Sequence, residues 1–144
     1  MKEPVIAIFD IGKTNKKLLL FNMDLKVVSE SEQRFAEIRD DDGFECDDID
    51  LIEAWIKDSV SILAKSDRYD LKAVNFTTYG ATVVYLDEKG RRLTPVYNYL
   101  KPMEERISEN LYKKYGGRDE FCRRTASPAL GMLNSSLQPL WLKA

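Results

Sequence analysis

The sequence predicts an α/β protein on a mixed sheet whose first three strands form an antiparallel meander. Three observations carry this. Residues 4–9 (PVIAIF), 16–21 (KKLLLF) and 26–35 (KVVSESEQRF) are strand-like and follow one another at hairpin spacing. Ile52, Trp55, Ile56, Val60 and Leu63 then recur at helical spacing. Residues 71–78 (LKAVNFTT) read as a further strand, and strand, helix, strand after a meander is the α/β pattern.

The elements follow in order. The first strand ends at Asp10, and Ile11 to Asn15 form a hairpin loop before the second. The third begins apolar and turns polar, as an edge strand does. Residues 36–47 (AEIRDDDGFECD) form an acidic loop, read as a solvated turn with divalent-ion binding as the alternative. Asp50-Leu51-Ile52-Glu53 resembles a capping box and opens a helix over 49–65. Ala81 to Leu86 and Leu93 to Tyr99 read as paired strands around an Asp87–Gly90 turn, with Gly90 where positive φ is needed. Pro102 opens a helix to Tyr115 that Gly116-Gly117 ends. Arg118 to Thr125 is a short helix, and Ser127 to Asn134 a loop. A last helix runs from Ser135 to Ala144 with Leu137, Leu140 and Trp141 on one face and no stop signal.

Composition narrows the function. A chain of 144 residues fits one domain, and 44% hydrophobic content supplies a core. The net charge of -2, without a dense Lys/Arg block, argues against nucleic acid as a partner. With no histidine, a His-based triad and a His-liganded zinc are excluded. Cys46 and Cys122 form no CxxC pair and read as reduced thiols. The opening apolar run is too short for a signal peptide, and no stretch is long enough for a membrane span. A cytoplasmic protein without membrane partners is expected.

The loop FDIGKTNKK, residues 9–17, carries the chemistry. Its GKT matches the tail of a P-loop, but the first glycine of that motif would fall on Ala7, inside a strand. A different device fits. Asp10 at a strand end can hold a hydrated metal ion, Gly12 permits close backbone approach, and Thr14 and Asn15 add short polar donors. Successive N–H groups in such a turn make a concave anion site. From the residues alone, an ordinary hairpin with Asp10 as turn former and Gly12 at positive φ explains the loop as well.

Asp10 to Phe21 (DIGKTNKKLLLF) also resembles the first phosphate motif of the FGGY family of sugar kinases, within the actin–Hsp70–hexokinase superfamily. That pattern runs D-I-G-T-T-x-x-K before an apolar strand. Asp10, Gly12, Thr14 and Lys17 match it, and Lys13 replaces a small hydroxyl residue. Residues 73–93 resemble the family's strand, sugar-contacting turn and hairpin, with Thr78, Tyr79, Gly80 and Ala81 where S-G-Q is common. Residues 95–106 resemble its W-x-D-x-R segment, with Tyr99 at the Trp place, Lys101 at the Asp place and Met103 where Arg is expected. Residues 137–143 (LQPLWLK) resemble its K-L-x-W-L-K helix.

The resemblance implies an incomplete ribonuclease H-like (actin-like ATPase) domain, with residues 1–144 as the N-terminal part of the first of two such domains. It implies ATP and Mg²⁺ as cofactors, with Asp10 at the metal and Gly12, Lys13, Thr14, Asn15 and Lys17 around the nucleotide phosphate. Thr78, Tyr79, Gly80, Asn98, Tyr99 and Lys101 become candidates for the sugar. From the residues alone, Tyr79 and Tyr99 serve equally as core aromatics, Asn98 as a strand-end hydrogen bonder and Lys101 as a surface charge. The catalytic base would lie beyond Ala144, so the piece alone is expected to be inactive, and apolar surface left open by truncation to favour self-association, as in a homodimer. The alternative is a non-catalytic α/β interaction module that keeps the fold. A third reading, an acetate kinase-like or Hsp70-like ATPase, is disfavoured by the D-E-K-G hairpin before P-V-Y-N-Y.

Overall fold

The computed structural model describes residues 1–143, and its backbone groups into two compact units. Met1–Glu37 with Asp48–Gly80 form the first; Ile38–Asp47 and the chain from Ala81 onward form the second. Ala144, assigned above to the last helix, lies outside the described residues. No helix among them is long and apolar enough to cross a membrane.

In the first unit, β1 (Glu3–Ile11), β2 (Lys16–Asn22) and β3 (Val27–Gln33) form the expected meander, and β6 (Tyr69–Thr78) adds parallel to β1. The sheet order is β3-β2-β1-β6. A parallel neighbour requires a crossover, and α1 (Ile49–Ala64) is the helix within that connection. Strand alternation sets the faces. Val5, Ala7 and Phe9 are fully buried, with Leu20 from β2 and Leu63 from α1 also in the core. Phe9 meets Trp55 edge-on at 5.1 Å and stacks on Phe76 at 5.4 Å. Full burial of a side chain such as Phe9 contributes about 1.5–3 kcal/mol. Ile6, Ile8 and Phe21 line a shallow apolar groove with Leu25 on the other face.

The helix begins at Ile49, as expected over 49–65, but its cap lies two residues before the Asp50 of the capping-box reading. Asp48, not Asp50, is the N-cap, and its carboxylate accepts from the backbone N–H of Asp50 and Leu51 at 3.1 and 3.2 Å. Either Asp could cap; Asp48 is the one with extended backbone (φ -76°, ψ 93°).

The acidic loop is also more ordered than expected. It is a small hairpin of β4 (Ile38–Arg39) and β5 (Glu45–Cys46). Asp40 closes its turn by accepting the N–H groups of Asp42 and Phe44 at 3.0 and 2.9 Å. The turn's carboxylates grip a lysine. The Lys101 ammonium lies 2.6 Å from both Asp40 and Asp42, while the Tyr97 hydroxyl donates to Asp41 at 2.9 Å. The same ammonium sits 4.8 and 4.7 Å from the ring centres of Tyr97 and Trp141, which pack edge to face.

The second unit's helices are α2 (Glu105–Lys114), α3 (Arg118–Thr125) and α4 (Gln138–Lys143), with 3-10 turns at Gly131–Leu133 and Ser135–Leu137. The paired strands expected over 81–86 and 93–99 are not formed. Among the described residues a bridge between Leu86 and Arg92 remains, with hydrogen bonds from the Leu93 N–H to the Tyr85 carbonyl (2.9 Å) and from the Asp87 N–H to the Arg91 carbonyl (2.8 Å). The turn itself is as expected, with Gly90 at φ 75°. Pro95 lacks a ladder donor, and the buried Tyr97 and Asn98 bond to Asp41 and Glu45 within the unit instead of pairing. The helix expected from Pro102 starts at Glu105, because Glu104 is still extended (φ -59°, ψ 123°).

Burial pushes the Asp40 carboxyl up, but its hydrogen bonds from Lys101 and the turn amides outweigh this and hold it below its ordinary value. Burial pulls Lys101 down, and its two carboxylate partners more than reverse the effect. A lowered Asp40 stabilises the fold above its ordinary value of 3.8, and that stability is lost as pH falls through the folded value. A raised Lys101 stabilises the fold below its ordinary 10.5, and that stability is lost as pH rises through the folded value. Urea midpoints measured across pH are therefore expected to plateau between the two and to fall at both ends. Lys101→Met, which leaves the buried Asp40 charge unpaired, is expected to destabilise by on the order of 3 kcal/mol in urea unfolding. A variant as stable as the parent, with an unchanged acid limb, contradicts the clamp.

Candidate functional site

Where β1 stops decides the site. Ile11, its last residue, pairs with Lys16 of β2 on one side and Thr78 of β6 on the other, and its carbonyl accepts the Tyr79 N–H at 3.3 Å. Asp10, the turn from Gly12 to Asn15, and Thr78 to Gly80 are thereby gathered at the ends where the parallel pair β1 and β6 terminates. Ligands in α/β sheets bind at such carboxyl ends.

The turn is tight. Gly12 N–H donates to the Asn15 carbonyl at 3.0 Å. Gly12 is not at positive φ, so the conformational role considered from sequence is not why glycine is needed. The reason is space: a Cβ there would lie 2.8 Å from the Asn15 carbonyl oxygen. That carbonyl fills the space a side chain would take, so only glycine fits there. Ala7, which a Walker loop would need as glycine, is buried within β1.

Each charged group near the turn has a definite face. Asp10 and Lys17 are cross-strand partners, so they share the face carrying Ile6, Ile8 and Phe21. Lys17 donates to Glu30 at 2.7 Å; that hydrogen bond, then the Glu30 charge, raise its proton affinity, with smaller contributions from Glu32 and Asp10. The Lys13 ammonium pairs with Glu37. Thr14 is exposed at the tip, and the Asn15 side-chain oxygen is buried without a hydrogen-bond partner among the described residues. A water of a hydrated cation, or a ligand hydroxyl, would satisfy such an acceptor. A strand-end carboxylate, a tight turn and an orphaned acceptor suit a Mg²⁺–phosphate group chemically.

The candidate sugar residues divide between the units. Thr78, Tyr79 and Gly80 belong to the first and adjoin the turn. Asn98, Tyr99 and Lys101 belong to the second. Asn98 is buried and donates from its side chain to the Glu45 carbonyl at 3.0 Å. Lys101, read as a surface charge or a sugar contact, is 8% exposed and held in the clamp described above. The three aspartates of the turn lie close enough to share an ion, yet the cation among them is this ammonium.

Sequence reasoning missed Lys16, which is 1% exposed and donates to the Lys13 carbonyl at 2.9 Å. The signal was present: strand alternation puts Lys16 on one face with Leu18 and Leu20, both part of the core packing.

Comparison with known proteins completes the description. Residues 5–144 match the N-terminal domain of the FGGY family of carbohydrate kinases. The chain is 24% identical over 139 residues to a glycerol kinase of Aquifex aeolicus, covering 96% of this chain and 28% of that protein. It superposes on a carbohydrate kinase from Novosphingobium aromaticivorans with a TM-score of 0.76 at 26% identity, over 95% of this chain and 28% of the other. It superposes on the Plasmodium falciparum glycerol kinase solved with ADP with a TM-score of 0.70 at 17% identity, over 98% of this chain and 29% of the other. The chain thus spans under a third of the length of these relatives and shares their mixed α/β, actin-like ATPase fold. It belongs to the FGGY family of carbohydrate kinases, matching the family's N-terminal domain.

Proposed function

We propose that the chain is the phosphate-holding part of an ATP-dependent carbohydrate kinase, which transfers the γ-phosphate of ATP to a hydroxyl of a sugar or polyol. The observation that carries this reading is the tight turn after β1, with Asp10 before it and Thr78 to Gly80 beside it. Phosphoryl transfer needs positioning and charge neutralisation more than covalent chemistry, and this arrangement supplies both. The N–H groups of the turn after Gly12, whose own N–H is bonded to the Asn15 carbonyl, take the terminal phosphate, and Thr14 adds a hydroxyl. Asp10 holds Mg²⁺, which neutralises phosphate charge. Lys17, on the same face as Asp10, adds a further positive charge. Thr78 to Gly80 face the acceptor from the neighbouring strand end. The base that accepts the hydroxyl proton is expected outside these 144 residues, and the isolated chain is accordingly expected to bind nucleotide without turnover.

Titration of the isotopically labelled chain with Mg·ATP tests this by backbone amide shifts. The largest changes are expected at residues 10–17, with smaller ones at 78–80. An intact fold with no response there overturns the reading and favours a non-catalytic module. Gly12→Ala forces a Cβ against the Asn15 carbonyl; we expect at least a tenfold loss of Mg·ATP affinity and a stability loss of about 1–3 kcal/mol by thermal unfolding. Asp10→Asn is expected to abolish the gain in nucleotide affinity that Mg²⁺ confers while leaving Mg-free binding unchanged, as isothermal calorimetry would show.

A further inference from the structure

Between α2, α3 and the loop that follows α3 lies a small cavity built wholly from the second unit. Its volume is about 80 Å³, where one water needs only roughly 10–15 Å³. None of the residues considered above for the nucleotide or the sugar lines it. Tyr112 and Phe121 supply the aromatic part of its lining, with ring centres 5.4 Å apart and planes tilted by 55°. Thr125, Ser127, Asn134 and Ser136 supply the polar part. No lining residue among the described residues is charged.

The loop is braced by its own hydrogen bonds. The Asn134 side-chain oxygen accepts the Leu130 N–H at 2.7 Å, and its side-chain nitrogen donates to the Ser127 hydroxyl oxygen at 3.0 Å. The Ser127 N–H donates to the Cys122 carbonyl at 3.2 Å, which anchors the loop on α3. These bonds also set the polarity of two hydroxyls. Ser127 Oγ accepts from Asn134, which leaves its proton to donate. Thr125 Oγ1 donates to the Phe121 carbonyl at 2.8 Å, which leaves its lone pairs to accept.

A donor and an acceptor lining one cavity complement a hydroxyl group, which accepts and donates at once. A carboxylate only accepts and an ammonium only donates, and an uncharged lining would not repay the desolvation of either. The aromatic rings suit the C–H side of a carbon skeleton. We propose that this cavity is a binding site for a short, neutral polyol. It is a site additional to the one that takes the phosphoryl acceptor, and it does not depend on the nucleotide reading.

Titration of the isotopically labelled chain with glycerol tests this. Saturable shifts are expected at the Ser127 amide and the Asn134 side-chain NH₂, with cross-relaxation between glycerol C–H protons and the Phe121 ring. Acetate is expected to leave these signals unmoved. Ser127→Ala removes the donor and should weaken glycerol binding at Asn134 about tenfold. Ser136→Phe, at an exposed position, should fill the cavity and abolish it. No saturable response at Ser127 and Asn134, or only a linear drift over the whole surface, overturns the proposal. So does a saturable Asn134 shift that is equal in both folded variants, or equal with acetate. Should the variants not fold, the parent alone decides: saturable shifts without cross-relaxation to the Phe121 ring overturn the site.

Discussion

The placement of every candidate residue in the first unit depends on β1 ending at Ile11 between two partners of opposite direction. The antiparallel register with β2 brings Lys16 and Lys17 back beside the turn. The parallel register with β6 delivers Thr78 and Tyr79 to the same end. A one-residue slip of β1 would exchange its faces, sending Phe9 away from Trp55 and carrying Asp10 onto the core side. The aromatic contacts of Phe9 therefore protect the orientation of Asp10, although the two side chains point opposite ways.

Two buried lysines show how differently a fold can accommodate the same charge. Lys101 meets two carboxylates and two aromatic faces, so its charge is neutralised locally and consumed in holding the β4–β5 hairpin. Lys16 donates to the Lys13 carbonyl inside the turn after β1. Lys101 thus clamps a hairpin, whereas Lys16 braces the turn after β1. Sequence position announces neither role: Lys101 falls in a segment resembling a sugar-contacting motif, and Lys16 falls between motif residues.

Much of the first unit was legible because its signals are local. The hairpin spacing, the helical spacing of Ile52 to Leu63 and the strand after it each depend on a few neighbouring residues, and each formed nearly as read. Turn chemistry was legible at Gly90 for the same reason. The second unit resisted because its order comes from distant partners. Residues 93–99 have the composition of a strand, yet Asn98 bonds to Glu45 and Tyr97 to Asp41, more than fifty positions away. The acidic turn looked solvated because nothing nearby announces that Lys101 will fill it. At the site, the role of Gly12 was half legible: the demand for glycine could be read, but its cause was a carbonyl contact and not a backbone angle.

This distinction explains why a site of this kind tolerates a changed side chain. In the reading proposed above, the turn offers an anion its backbone, and backbone N–H groups are supplied by any non-proline residue. What the turn cannot accept is a side chain at Gly12. Lys13, standing where related sequences carry a small hydroxyl residue, can therefore turn its side chain to Glu37 without altering what its peptide presents. The side chain contributes to the local fold through that ion pair, while its carbonyl is fixed independently by Lys16. A substitution that is conspicuous in the motif thus leaves the backbone of the turn in place, because the Lys13 side chain and the Lys13 carbonyl are held by different partners.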